Sequence, residues 1–149
     1  MESFFYLADD IQELAGGKLL LVGLYADRIV YIGLPPSGEK PTSEKPFGIP
    51  NLALMLNLRE LKPGDHAIGM RILLPDGTPM TDELAPRQST VLASGAHNVI
   101  VKLSPFPVKQ FGRYTLSVQV DDEVVTAAFF LRMAELDALA QAKTTTPIA

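Results

Sequence analysis

Leucine occupies every even position from 52 to 58 in the run Asn51-Leu52-Ala53-Leu54-Met55-Leu56-Asn57-Leu58-Arg59. Successive side chains of an extended strand point to opposite faces. The spacing therefore puts the leucines on one face and Ala53, Met55, Asn57 and Arg59 on the other. A helix would scatter the same leucines around its circumference. The rhythm returns in Ile68, Met70, Ile72 and Leu74, in Val99, Val101 and Leu103, and in Tyr114, Leu116, Val118 and Val120. Pro63-Gly64-Asp65, Pro75-Asp76-Gly77 and Asp121-Asp122 lie at the ends of these runs and are residue types that turns demand. Asp121-Asp122 sits where a tight hairpin turn is needed, with residues 123–131 returning as the partner strand. Short alternating strands separated by such turns predict an all-β antiparallel sandwich of about seven to nine strands.

The remaining segments are less regular. Residues 4–8 read as a first strand, and residues 9–15 as a short helical turn or a polar excursion before Gly16-Gly17. Residues 18–25 are apolar on both faces, which suits a central strand or one covered by another element. Ala26-Asp27-Arg28 kinks the chain before Ile29-Val30-Tyr31-Ile32. Residues 33–50 hold Pro35, Pro36, Pro41, Pro46 and Pro50, whose missing amide donors predict a long irregular loop, either a crossover or a contact surface. Residues 78–87 form a second long connection, 88–93 a short strand, and Ser104-Pro105-Phe106-Pro107 an element end. Residues 133–143 favour a short helix by composition, followed by a tail, so the chain divides into a β-sandwich over 1–132 and a helix and tail over 133–149. Phe4-Phe5 and Phe129-Phe130 must split between opposite faces. A second apolar face outside the core then needs covering, by the C-terminal helix or by a partner.

Composition narrows the chemistry. The 149 residues fit one domain, and 47% hydrophobic content is enough for a sizeable core. A net charge of −4, with no clustered lysine or arginine, points away from nucleic acid. The absence of cysteine excludes disulfides, thiolate nucleophiles and cysteine-ligated metals, and suits a reducing compartment. Asp9 and Asp10 interrupt the apolar start, and Asp27 and Arg28 the next apolar stretch, so neither a signal peptide nor a membrane span is expected.

No reactive constellation accompanies the strands. His66 follows a turn and His97 opens a strand, and neither has metal-ligand spacing. There is no G-x-S-x-G elbow, and Gly16-Gly17-Lys18 is followed by Leu19 where a phosphate loop needs Ser or Thr. Asp9, Asp10 and Glu13, and separately Asp121, Asp122 and Glu123, are acidic groups that helix-start and turn chemistry account for without a calcium ion. No catalytic, cofactor-binding or metal-binding residue is assigned.

Gly112-Arg113-Tyr114-Thr115-Leu116-Ser117-Val118, followed by the Asp pair, resembles the penultimate strand of immunoglobulin-like domains. The resemblance implies that Tyr114 forms a tyrosine corner, without the inter-sheet disulfide or its tryptophan. Asp9-Asp10-Ile11, Gly16-Gly17-Lys18-Leu19, Gly23-Leu24-Tyr25 and Asp27-Arg28-Ile29 resemble an uncharacterised family of small bacterial and phage proteins. That resemblance implies an immunoglobulin-like sandwich and no assigned activity.

The expectation is a non-enzymatic structural or protein-interaction module, for which the resemblance implies a phage virion or assembly component, in the cytoplasm or in a particle. It is expected to bind a protein partner or itself as a homo-oligomer, with no cofactor. The expected contacts are Pro35, Pro36, Pro41 and Phe47 in the long loop, and Met133, Leu136 and Ala140 on one face of the C-terminal helix. Two alternatives stay open: a carbohydrate-binding sandwich using Tyr25, Tyr31 and Phe47, and a hydrolase whose site assembles in space around His66 or His97.

Overall fold

The computed structural model describes residues 1–80, 87–91 and 94–134. It is all-β, and its described residues form eleven strands: β1 (Glu2–Glu13), β2 (Leu19–Leu24), β3 (Ile29–Ile32), β4 (Phe47–Ile49), β5 (Leu52–Arg59), β6 (Gly64–Leu73), β7 (Arg87–Val91), β8 (His97–Leu103), β9 (Phe106–Val108), β10 (Gly112–Val120) and β11 (Glu123–Met133). One sheet has the order β2-β1-β5-β8 and the other β3-β11-β10-β6-β7, with β4-β9 a short pair of its own. All neighbours are antiparallel except β3 and β11, which run parallel.

The alternating leucines of β5 do what their spacing predicts. Leu52, Leu54, Leu56 and Leu58 are buried in one core with Phe5 and Leu7 of β1, Ile68 and Ile72 of β6, and Leu116, Val118, Phe129 and Leu131 of β10 and β11. The two sheets thus face each other across this core. At its centre Phe129 stacks on Tyr114 at 5.5 Å and on Phe5 at 6.1 Å, and meets Phe106 edge-on at 6.1 Å. Phe4, on the other face, is exposed under the Arg59 guanidinium.

The opposite face of β5 is buried as well. β1 pairs with β5 through residues 2–8, then with β2 through residues 8–13. Ile11, Leu19 and Leu21 of this β1–β2 arm pack with Ala53 and Met55 of β5 and Ile100 of β8. The tip of the arm, at Glu13, Leu14, Lys18 and Leu19, borders a concavity with Asn98 and Ile100. The first hairpin therefore covers this part of the second apolar face; the expected C-terminal helix lies outside the described residues.

Several expectations change. Residues 9–13 are strand, not a helical turn, because their backbone pairs with β2; a single 3-10 turn, Ala15–Gly17, follows. The 18–25 segment is neither central nor covered on both sides: β2 lies at a sheet edge with one face on the arm's cluster and the other in solvent. The long loop contributes β4, and the Ser104–Pro107 end contributes β9, whose Phe106 is fully buried. Met133 belongs to β11, which continues because β3 runs beside it as far as Met133, with Ala134 N–H donating to the Ile32 carbonyl. The expected helix residues Leu136 and Ala140 lie outside the described residues.

Gly23, inside β2, lies against Asp9. Its φ of +66° is a left-handed conformation, and a Cβ there would run into the Asp9 carboxylate. Asp9 Oδ1 accepts from the Tyr25 hydroxyl at 2.6 Å, and burial, reinforced by that carboxylate, pushes the Tyr25 phenol up to about 12. Gly23→Ala is expected to cost about 1–2 kcal/mol from backbone strain alone. By displacing Asp9 it is also expected to bring the Tyr25 ionisation back toward 10, read by ultraviolet pH titration.

Candidate functional site

Two features stand out from the fold. The first is at one end of the two sheets. His66, near the start of β6, is half-buried, and both of its ring nitrogens are engaged: Nδ1 lies 2.6 Å from Asp121 Oδ2 and Nε2 2.7 Å from the Lys62 carbonyl. Asp121 sits in the β10–β11 turn with φ +51°, the positive-φ position a tight hairpin requires. Its other oxygen accepts from Ala67 N–H at 2.9 Å, and its own N–H donates to the Ala67 carbonyl at 2.8 Å. The Asp pair therefore does more than turn the chain. Asp121 ties the hairpin to β6, and His66 ties both to the β5–β6 turn.

The hydrogen bond to Asp121, reinforced by that to Lys62, holds the His66 imidazole above its ordinary value. The same bond holds the Asp121 carboxyl below the usual carboxylate range. His97 lies close enough to feel the charge on His66, but burial is the larger influence, and both push it down. A half-open concavity of about 330 Å³ is bordered by Glu60, Lys62, His66, Asp121, Asp122 and Glu123. With both ring nitrogens committed to the protein, His66 has no free lone pair to take a proton from a substrate in this arrangement. Among the described residues no group of three or more histidine, aspartate or glutamate side chains is arranged to hold a metal ion.

The second feature is the solvent side of β2. Leu20, Val22 and Leu24 are 45%, 43% and 52% exposed, and Leu14 at the arm's tip is 46% exposed. On the opposite face Leu19 and Leu21 are held in the arm's cluster. Among the described residues the strand has a hydrogen-bonded neighbour on one side only, β1, so its outer edge offers backbone donors and acceptors beside a row of aliphatic side chains.

The residues expected to make contacts are dispersed. Pro35 and Pro36 are exposed, whereas Pro41 is buried and Phe47 packs against the main core. Met133 is half-buried in β11. Of the aromatics considered for a sugar, Tyr25 is held by Asp9, Tyr31 is 53% exposed and Phe47 is on the core, so they form no common surface. The N-terminal acids are also engaged: Asp9 with Tyr25, and Asp10 with Gln12 and with Lys102 at 3.4 Å. Leu20, Val22 and Leu24 carry no local sign of exposure in an apolar run. Only the polar alternation of Asp10 and Gln12 on the paired strand hints that this face meets water.

Among the described residues no helix is long and apolar enough to cross a membrane. A search of curated protein sequences found no match. Among solved structures, a Pseudomonas fluorescens alkylpurine DNA glycosylase bound to DNA containing an abasic-site analogue is 18% identical, covering 55% of this chain and 25% of its own, with a TM-score of 0.37. A Listeria innocua β-glucosidase in complex with glucose is 10% identical, covering 87% of this chain and 16% of its own, also with a TM-score of 0.37. Its complex with isofagomine gives the same identity and TM-score over 89% of this chain. This chain spans a quarter or less of those proteins, and likeness at that level carries no argument about activity. A family model matches residues 3–131, nearly the whole described fold, and the chain belongs to that family, the family of unknown function DUF6941.

Proposed function

We propose that this protein is a non-catalytic, immunoglobulin-like interaction module that receives an extended segment of a protein partner along β2. The observation that carries this reading is the edge of β2, unpaired among the described residues, with Leu20, Val22 and Leu24 exposed beside it. An unsatisfied strand edge matches an extended chain better than a helix or a sugar, because main-chain hydrogen bonds supply affinity and alternate side chains supply selectivity. The partner segment is therefore extended, with apolar side chains at alternate positions. Incorporation into a phage particle, expected from the family resemblance, is one setting for such a contact.

The immunoglobulin-like part of the proposal is supported by strand order. β1-β5-β8 follows the A-B-E order of such domains, and β11-β10-β6-β7 the G-F-C-C′ order, with β3 added beside β11. Tyr114, at the start of β10, donates its hydroxyl to the Gln110 carbonyl at 2.7 Å, four residues upstream, as a tyrosine corner does.

Selection from an unbiased random-peptide display library tests the contact. Enriched peptides are expected to alternate apolar residues, and Val22→Lys is expected to weaken their binding about tenfold or more while leaving the thermal midpoint unchanged. No enrichment, or peptides indifferent to Val22→Lys, would overturn the proposal.

A further inference from the structure

We propose that His66 is a proton-operated latch: charged, it clamps the β5–β6 turn to the β10–β11 hairpin, and neutral, it lets that turn go. The geometry is that of a doubly donating imidazolium. One nitrogen faces a carboxylate oxygen and the other a carbonyl oxygen, both within 2.7 Å, and both partners only accept. A neutral ring carries a single N–H. Whichever partner keeps it, the other oxygen then faces a nitrogen lone pair at hydrogen-bond distance, which is repulsive. Asp121 is fixed by Ala67 on both its backbone N–H and its second oxygen, so the Lys62 carbonyl is the contact that gives way.

What the latch holds matters for the whole end of the molecule. The β5–β6 turn carries the chain from one sheet to the other and includes Glu60, a non-glycine residue at φ +63°. Leu61 N–H donates to the Gly95 carbonyl at 3.1 Å, which connects the turn to the segment before β8. Release at Lys62 would therefore reshape the concavity that Glu60, Lys62, Asp122 and Glu123 border.

The charged groups around the ring come from each neighbouring element. Asp121, Asp122 and Glu123 lie at the β10–β11 turn, Glu60 and Lys62 at the β5–β6 turn, Asp65 next to it on β6, His97 on β8, and the amino group of Met1 before β1. The carboxylates outnumber the cations and favour the charged ring; Asp121 and Asp65 raise its proton affinity directly. The linkage follows from these directions. The contribution of His66 to stability is complete below its unfolded value of 6.5 and disappears as pH rises through its higher native value. Asp121, held low, contributes above its unfolded value of 3.8 and loses that contribution as pH falls through its lower native value.

The experiment is a pH titration of the isotope-labelled full chain by nuclear magnetic resonance, following the His66 ring and the amides of Glu60, Leu61, Lys62 and Gly64. The ring is expected to titrate above 6.5, and the amides to shift with the same midpoint. Asp121→Asn is expected to lower that midpoint, and His66→Gln to remove the transition from the turn. A ring that titrates at or below 6.5, or turn amides that ignore its midpoint, would overturn the latch. Because the wild-type titration alone carries both outcomes, the test does not depend on either variant folding.

Discussion

Phe129→Ala is expected to remove about 3–5 kcal/mol of unfolding free energy, read as a lower urea midpoint with an unchanged slope. Phe129 is wholly buried, and its ring joins parts of the fold that are distant in sequence: Phe5 of β1 in one sheet, Tyr114 of β10 in the other, and Phe106 of the short pair β4-β9. Removing it opens a cavity whose walls belong to separate strands and cannot collapse together. It also forfeits stacked and edge-on ring contacts, each worth about 0.5–1.5 kcal/mol beyond burial. A domain of this kind has a total stability of roughly 5–15 kcal/mol, so the loss is a large fraction of the whole. A cost below about 1 kcal/mol would mean that the two sheets do not meet on this ring.

Met55→Asp is expected to act as strongly but locally. Met55 alternates with the core leucines and points away from them, yet only 4% of it is exposed because Ile11, Leu19 and Leu21 of the β1–β2 arm lie on it. A carboxylate there is buried without a partner, a situation that costs about 3–5 kcal/mol if the arm stays in place. The arm has another way out: lifting off the sheet hydrates the charge and leaves the main core intact. The expected result is fast hydrogen exchange across residues 9–24, with β5, β10 and β11 still protected. Global unfolding in step with the arm would show that arm and core are one cooperative unit.

Much of the fold is legible in the residues. β5, β6, β8 and β10 follow from period-two alternation, since one buried face fixes which side chains point inward. Asp121-Asp122 marks the β10–β11 hairpin, and Tyr114 its corner bond. The arm is not legible. Its strand residues Asp9, Asp10, Gln12 and Glu13 are exposed or half-buried on both sides of the single buried Ile11, and a polar strand half has the composition of a loop. β9 is hidden by Pro107, which is tolerated because it pairs only with Gly48 in a two-stranded edge. The end of β11 is hidden by residues that favour helix; a parallel neighbour overrides that preference through backbone pairing.

The candidate sites depend on contacts that no local pattern encodes. His66 and Asp121 are 55 residues apart in the chain and meet because β6 and β10 pair in one register, with Val120 opposite Ile68. Shifting that pairing would separate them without changing any strand's alternation. Leu20, Val22 and Leu24 read as core from their composition, and only the arm's placement at the sheet edge turns them outward.

Hydrogen exchange on the protein bound to a peptide selected against it is the most direct test of a contact role for β2. The expected result is new protection concentrated in residues 19–24, with the 33–50 loop and the His66 end unchanged. Protection falling on the loop or on the His66 concavity, with β2 exchanging as fast as in the free protein, would contradict it.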